Sequence, residues 1–256
     1  MMDRVFILLM TVFLLTACNN DDEGGDVILP TAQLDIKFEQ VFDGGPISGN
    51  DFGITVFTNE LGQEMFFTRI RYLISRIALT DVNTNEIYEV EGYRLVDMAD
   101  PGTYDIDANL ILPQGSYRVS FIYGFNEADN QDGAYGDLNQ ASWNWPMILG
   151  GGYHFLQMDG NFKDSSGNTQ AFNYHNGTAR VSDGVFEQNF LAVDFPEVLE
   201  VTENDDTVSI IMDVAEWFRN PYTWDLEVYN TPLMPNYEAQ KLMNDNAASV
   251  FSVEIN

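Results

Sequence analysis

Both histidines of the chain, His154 and His175, lie near one another in sequence, and two of its four tryptophans, Trp143 and Trp145, come just before them. The first stretch reads Trp143-Asn-Trp-Pro-Met-Ile-Leu-Gly-Gly-Gly-Tyr-His-Phe-Leu-Gln-Met-Asp-Gly160, and the second reads Phe172-Asn-Tyr-His-Asn-Gly177. Imidazole and thioether are the donors that a soft or borderline metal prefers, copper above all. His154 and His175, with Met147 and Met158, are therefore the candidate metal ligands. Two neutral imidazoles with a thioether would favour the cuprous state. Methionine more commonly fills gaps in a core, and a buried histidine is commonly satisfied by a single hydrogen bond. The metal reading thus depends on how the chain brings these side chains together.

The surrounding elements read as strands. Leu34–Val41 alternates apolar and polar residues with the period of a half-buried strand. Met65–Leu79 is rich in aromatic and β-branched residues and reads as one long strand or two broken near Ser75. Ile87–Val96, Gly115–Gly124, Tyr153–Met158, Gln170–Tyr174, Val185–Val193 and Thr207–Val214 continue the pattern. Turn signals separate them, among them Asp100-Pro-Gly, Pro113-Gln-Gly, Ser166-Gly-Asn and Asp183-Gly. Short strands at this spacing predict an all-β fold, an antiparallel β-sandwich. Two short helices are expected, near Tyr135–Ala141 and over Asn236–Asn246. Strict alternation sets Tyr153, Phe155 and Gln157 on one face and His154, Leu156 and Met158 on the other. If this strand pairs with the next through a turn at Lys163–Thr169, one register brings the two histidines together.

The N-terminus carries a targeting signal. Val5–Leu15 is an apolar run of 11 residues, short of the roughly 20 that span a bilayer as a helix and suited to a signal-peptide core. Leu15-Thr-Ala-Cys18 resembles a lipobox, and Cys18 is the single cysteine of the chain. The expected organisation is a signal peptide (1–17), a lipidated, acidic, flexible tether (18–32) and one domain (33–256). The acidic patch behind Cys18 is similar to the surface-export signal of Bacteroidetes lipoproteins, so the expected location is the outer membrane, facing the cell exterior. With one cysteine, no intramolecular disulfide forms.

Forty acidic residues against 11 basic ones give a net charge of −29. Neutralising phosphates is beyond such a chain, which argues against nucleic acid as a partner. An enzyme is also not expected. The chain has no nucleophile elbow, no phosphate-cradling loop, no His-Glu-x-x-His pair and no thiol free to attack. Asn126–Gly133 offers oxygen ligands, but it departs from the EF-hand spacing and reads as an acidic surface loop rather than a calcium site.

Taken in order, Trp143-x-Trp145, the Gly-rich turn into Gly152-Tyr-His-Phe-Leu-Gln-Met-Asp-Gly160, and Phe172-Asn-Tyr-His-Asn-Gly177 resemble the MbnP-like family of copper-binding proteins. Arg71–Leu79, Gly115-Ser-Tyr, Ile122-Tyr-Gly124 and Glu216–Pro221 extend the likeness over roughly residues 33 to 254. The resemblance implies a β-sandwich that binds a copper ion partly through histidine, with His175 matching the family's H-x-G residue. It also implies that Trp143 or Trp145 is the candidate for oxidation to kynurenine by a di-haem, MauG-like partner enzyme. The rival expectation is a metal-free binding or adhesion module that grips a glycan or protein with the aromatic, Gly-rich loop from Trp143 to Tyr153.

Overall fold

The computed structural model describes residues 30–202 and 206–256. The N-terminal apolar run, Cys18 and most of the tether lie outside the described residues. In chain order the main strands are β1 (Thr31–Phe42), β2 (Glu64–Asp81), β3 (Tyr93–Asp97), β4 (Asp105–Pro113), β5 (Gly115–Tyr123), β6 (Leu156–Lys163), β7 (Thr169–Asn176), β8 (Leu191–Asp194), β9 (Asp206–Asp213) and β10 (Phe251–Ile255). Helices α1 (Gly136–Gln140) and α2 (Tyr237–Ala247) complete the frame. Thr31 and Ala32, assigned above to the tether, are the first residues of β1. Pairing with Pro113 and Leu112 of β4 and the burial of Ala32 hold them there.

Two sheets face each other. One runs β10–β9–β1–β4, the other β7–β6–β2–β5–β8 with β3 beside β2. Pairing is antiparallel except between β1 and β9, which run parallel. Alternate residues of β1, including Leu34, Ile36 and Phe38, are buried, as expected for a strand with one face inward. Aromatic rings join the sheets: Phe38 meets Tyr72 edge-on at 6.2 Å, and Phe251 meets Phe121 at 5.2 Å. Among the described residues no helix is long and apolar enough to cross a membrane.

The long strand β2 changes partners along its length. Met65–Tyr72 pairs with β6, and Ile74–Asp81 pairs with β5. β2 is the one long strand of the two alternatives, with a bulge between Ser75 and Ala78 and Arg76 at φ 51°. At the changeover, the Leu73 N–H donates to the Phe155 carbonyl (2.9 Å), and the Leu73 carbonyl accepts from Gly124 (2.8 Å). Phe155 therefore enters the sheet one residue before β6 begins. The histidine pair sits beside this junction.

Candidate metal centre

On the outer face of the second sheet, β2, β6 and β7 align two polar rows. Arg71, Gln157 and His175 form one, and Arg69, Asp159 and Asn173 the other. Directly opposed residues share a face, so the intervening row of Ile70, Met158 and Tyr174 points the other way, between the sheets, where all three are fully buried. The segment after β5 folds back over the polar rows. Arg71 donates to the Ala141 carbonyl at 3.2 Å and lies 5.1 Å from the centre of the Trp143 ring.

Three successive glycines shape the lid, with φ of 116°, 67° and 80° at Gly150, Gly151 and Gly152. Only glycine visits this region readily for several residues in a row. The acidic loop 126–133 holds the turn from outside. Asn130 accepts from the Tyr153 N–H (2.9 Å), and Asp132 accepts from Gly152 (3.3 Å). The Trp145 N–H donates to the Gly152 carbonyl at 2.8 Å, and the Trp145 ring rests on Gly177.

His154 and His175 meet under this lid. Their ring centres are 5.3 Å apart at an interplanar angle of 81°. Trp145 packs edge-on to His154 at 4.9 Å, and Trp143 lies 5.5 Å from it. His154 Nδ1 lies 3.0 Å from the Trp143 carbonyl oxygen. A carbonyl only accepts, so Nδ1 carries the proton and Nε2 keeps a lone pair. His175 Nε2 lies 2.8 Å from Asp159 Oδ1, so Nε2 donates, and Nδ1 is the nitrogen that carries a lone pair in the neutral ring. Each ring thus has one nitrogen tied to an acceptor and the other free of hydrogen bonds among the described residues. That is the arrangement of metal-ligating histidines, whose second nitrogen is held by a carboxylate or carbonyl.

Burial lowers the pKa of His154 to about 3. The hydrogen bond to Trp143 works against this, while the charges of His175, Arg71 and Arg69 add to it. The ring is therefore neutral at physiological pH. Burial alone would raise the Asp159 carboxyl, but the hydrogen bond and charge of His175, with Asn173 and Arg69, hold it well below the usual carboxylate range. Asn173 donates to Asp159 Oδ1 at 2.6 Å and Arg69 Nε to Oδ2 at 2.6 Å. The ion pair keeps Asp159 charged and its acceptor aimed at His175.

The structure brings His154, His175, Trp143 and Trp145 together and leaves the methionines apart from that cluster. Met158 lies on the inner face, opposite His175, because it alternates with Gln157, the partner of His175; the period-2 alternation fails earlier, just before β6. Phe155 packs edge-on to Tyr123 at 6.2 Å, and it and Leu156 are consecutive buried residues. His154 is thereby turned to the side of His175 rather than that of Met158. Met147 is 67% exposed in the turn before Gly150, so both thioethers drop out as partners of the histidine pair. Asp159 is the acid of the G-Y-x-F-x-x-x-acid-G motif, but its role shows only once β6 and β7 are in register. Arg69 and Arg71, two of 11 basic residues, were legible only as strand residues.

Among the described residues no group of three or more His, Cys, Asp or Glu side chains could hold a metal ion together. A four-coordinate shell built from those side chains is thus absent there. Two imidazole nitrogens walled by indoles suit a soft ion of low coordination number, and the residues present fit copper(I) in that respect. The glycan-gripping expectation fares worse. Trp143, Trp145 and Tyr153 are 0%, 1% and 0% exposed, so the loop's aromatic side chains face inward and offer no platform to a ligand.

Fold and site together define a two-sheet β-sandwich with a paired-histidine cluster, packed against two tryptophans, on the outer face of one sheet. The family model of MbnP matches residues 31–236, and the chain belongs to the MbnP family. Among solved structures it is similar to MbnP from Methylosinus trichosporium. That match has 14% identity and a TM-score of 0.56, and covers 89% of this chain and 99% of the other. At that identity the likeness bears on the fold. The curated protein sequences contain no match.

Proposed function

We propose that this chain is a non-catalytic copper-binding protein that holds one copper(I) ion between His154 Nε2 and His175 Nδ1. The carrying observation is the orientation of the two imidazoles, each fixed through its other nitrogen by the Trp143 carbonyl or the Asp159 carboxylate. When bound, the metal would supply a soft, positively charged centre. The chain's own work is to keep the His154 ring neutral, to wall the site with Trp143 and Trp145, and to hold the rings against the sheet. Family membership supports copper, and the indole walls favour an ion that needs few ligands.

Three further elements belong to the same reading. Cys18 carries the lipid that anchors the chain to the outer membrane, facing outward. A di-haem, MauG-like enzyme is the partner that would oxidise a tryptophan beside the site. Trp143 and Trp145 remain the two candidates, both in ring contact with His154. The buried Trp143 indole N–H has no hydrogen-bond partner among the described residues, which typically costs about 1–3 kcal/mol.

The test is copper stoichiometry. The untagged chain lacking its N-terminal apolar run is loaded with copper(I) under a competing chelator. The expected result is about one copper per chain in the wild type, a number set by the single histidine pair, and none in His154→Ala or His175→Ala proteins that remain folded. A folded wild type that retains no copper would remove the metal reading.

A further inference from the structure

The family match ends at Asn236, the residue that caps α2. One turn further along that helix, Gln240 is fully buried with a polar side chain. Its Nε2 donates to the His175 carbonyl at 2.7 Å and to the Leu233 carbonyl at 3.3 Å, with the Met243 sulfur alongside at 3.7 Å. Its Oε1 accepts from the Gly177 N–H at 3.2 Å and from Asn176 Nδ2 at 3.3 Å. A primary amide has two donor hydrogens and two acceptor lone pairs, and all four are engaged here.

The pattern has a structural meaning. β7 is the edge strand of its sheet. Along that edge Asn173 donates to the Asn230 carbonyl, whereas His175 and Gly177 would otherwise present a bare carbonyl and a bare N–H. The Gln240 amide meets both, as the N–H and C=O of one residue on a neighbouring parallel strand would. It thereby fixes the backbone on either side of Asn176. The Asn176 carbonyl in turn accepts from the Phe155 N–H at 2.8 Å, next to His154, and Gly177 seats the Trp145 ring.

We infer that Gln240 is a positioning residue for the histidine pair, aiming His175 and, through Asn176 and Gly177, His154 and Trp145. The inference rests on the copper reading above. The outer contacts that orient metal ligands commonly change affinity by about 10–100-fold when removed. Gln240→Met keeps the side-chain length and removes all four hydrogen bonds. Asn246 supplies the control: it is a second fully buried amide on α2, and it holds the Trp217 and Tyr222 carbonyls at 2.8 and 2.9 Å, away from the histidines.

The experiment compares Gln240→Met with Asn246→Leu by thermal unfolding, by copper(I) affinity under a competing chelator, and by the imidazole NMR signals of the metal-free protein. We expect Gln240→Met to weaken copper binding about 10-fold or more and to shift the His175 ring signals. Asn246→Leu should lower thermal stability and leave both other readouts in place. Equal loss of affinity in the two variants, or no change in Gln240→Met, would overturn the proposal. Should the wild type hold no copper, the copper reading fails and the imidazole signals alone decide the positioning role. If Gln240→Met does not fold, Gln240→Glu gives the same comparison, since it keeps the acceptor and sets a carboxylate oxygen against the His175 carbonyl.

Discussion

His154 couples the site to the stability of the molecule. Its pKa is depressed from 6.5 to about 3 in the folded chain, so the unfolded chain binds a proton more readily than the folded one. For a group shifted in this direction, the stability it contributes is present above the unfolded pKa and is lost as pH falls toward the folded one. Between pH 7 and pH 5 the loss is about 2 kcal/mol from this side chain alone. Replacing His154 with leucine removes the titration. Urea unfolding of wild type and His154→Leu at the two pH values should show a steeper decline in the wild type. Equal declines would mean that the ring is hydrated in the folded state. Copper bound to Nε2 competes with that same proton, so the loaded wild type should resist acid further than the metal-free protein.

At the scale of elements, the pocket depends on close approach between the loop that carries Trp145 and the end of β7. A Cβ on Gly177 would lie 2.7 Å from the Trp145 ring. That ring cannot retreat easily, because Trp145 Nε1 donates to the Leu149 carbonyl at 3.2 Å and its backbone N–H is held by Gly152. Gly177→Ala should therefore destabilise by about 1–3 kcal/mol, as overpacking does, and should weaken copper(I) retention by moving the wall of the site. Denaturation and chelator competition measure the two effects, and an unchanged affinity would show that Trp145 is not part of the enclosure. Much of this scale was legible in the sequence. Most strands, the turns between them and the Asn236 cap of α2 follow local pattern, and the β6–β7 pairing occurs through the expected turn. Ile87–Val96 and Val185–Val193, each expected as one strand, are each broken into two. Two features depended on tertiary partners instead. Asp105–Pro113, with two aspartates, an asparagine and a terminal proline, is not among the expected strands and is held as one by pairing with β1. The inversion at Phe155 follows from β2 exchanging one neighbour for another at Leu73, and no local periodicity encodes it. The candidate site was legible as a set of residue types, whereas the choice of histidine over methionine was made by that inversion.

Across the whole molecule, charge dominates. Forty acidic and 11 basic residues cannot neutralise one another, and the cations are used locally. Arg219 gathers Asp43, Glu60, Asp213 and Glu216 within 2.7–3.7 Å, and Arg69 serves Asp159. The remaining carboxylates repel one another over distances comparable to the Debye length, about 10 Å at 0.1 M salt. Self-repulsion of this kind destabilises the compact state, so raising sodium chloride from about 10 mM to about 150 mM, across that screening range, should raise the thermal midpoint at pH 7. The same field opposes the His154 effect on acidification, because protonating carboxylates relieves repulsion. The two separate by pH. Ordinary carboxylates titrate near 4, so between pH 7 and pH 5 the histidine governs and stability should fall. Nearer pH 4 the curve should flatten as the charge collapses, and high salt should remove the flattening while leaving the decline above pH 5. Thermal midpoints measured over pH 4–7 at low and high salt test both claims. A midpoint that does not respond to salt at pH 7 would mean that local pairing already offsets the excess negative charge.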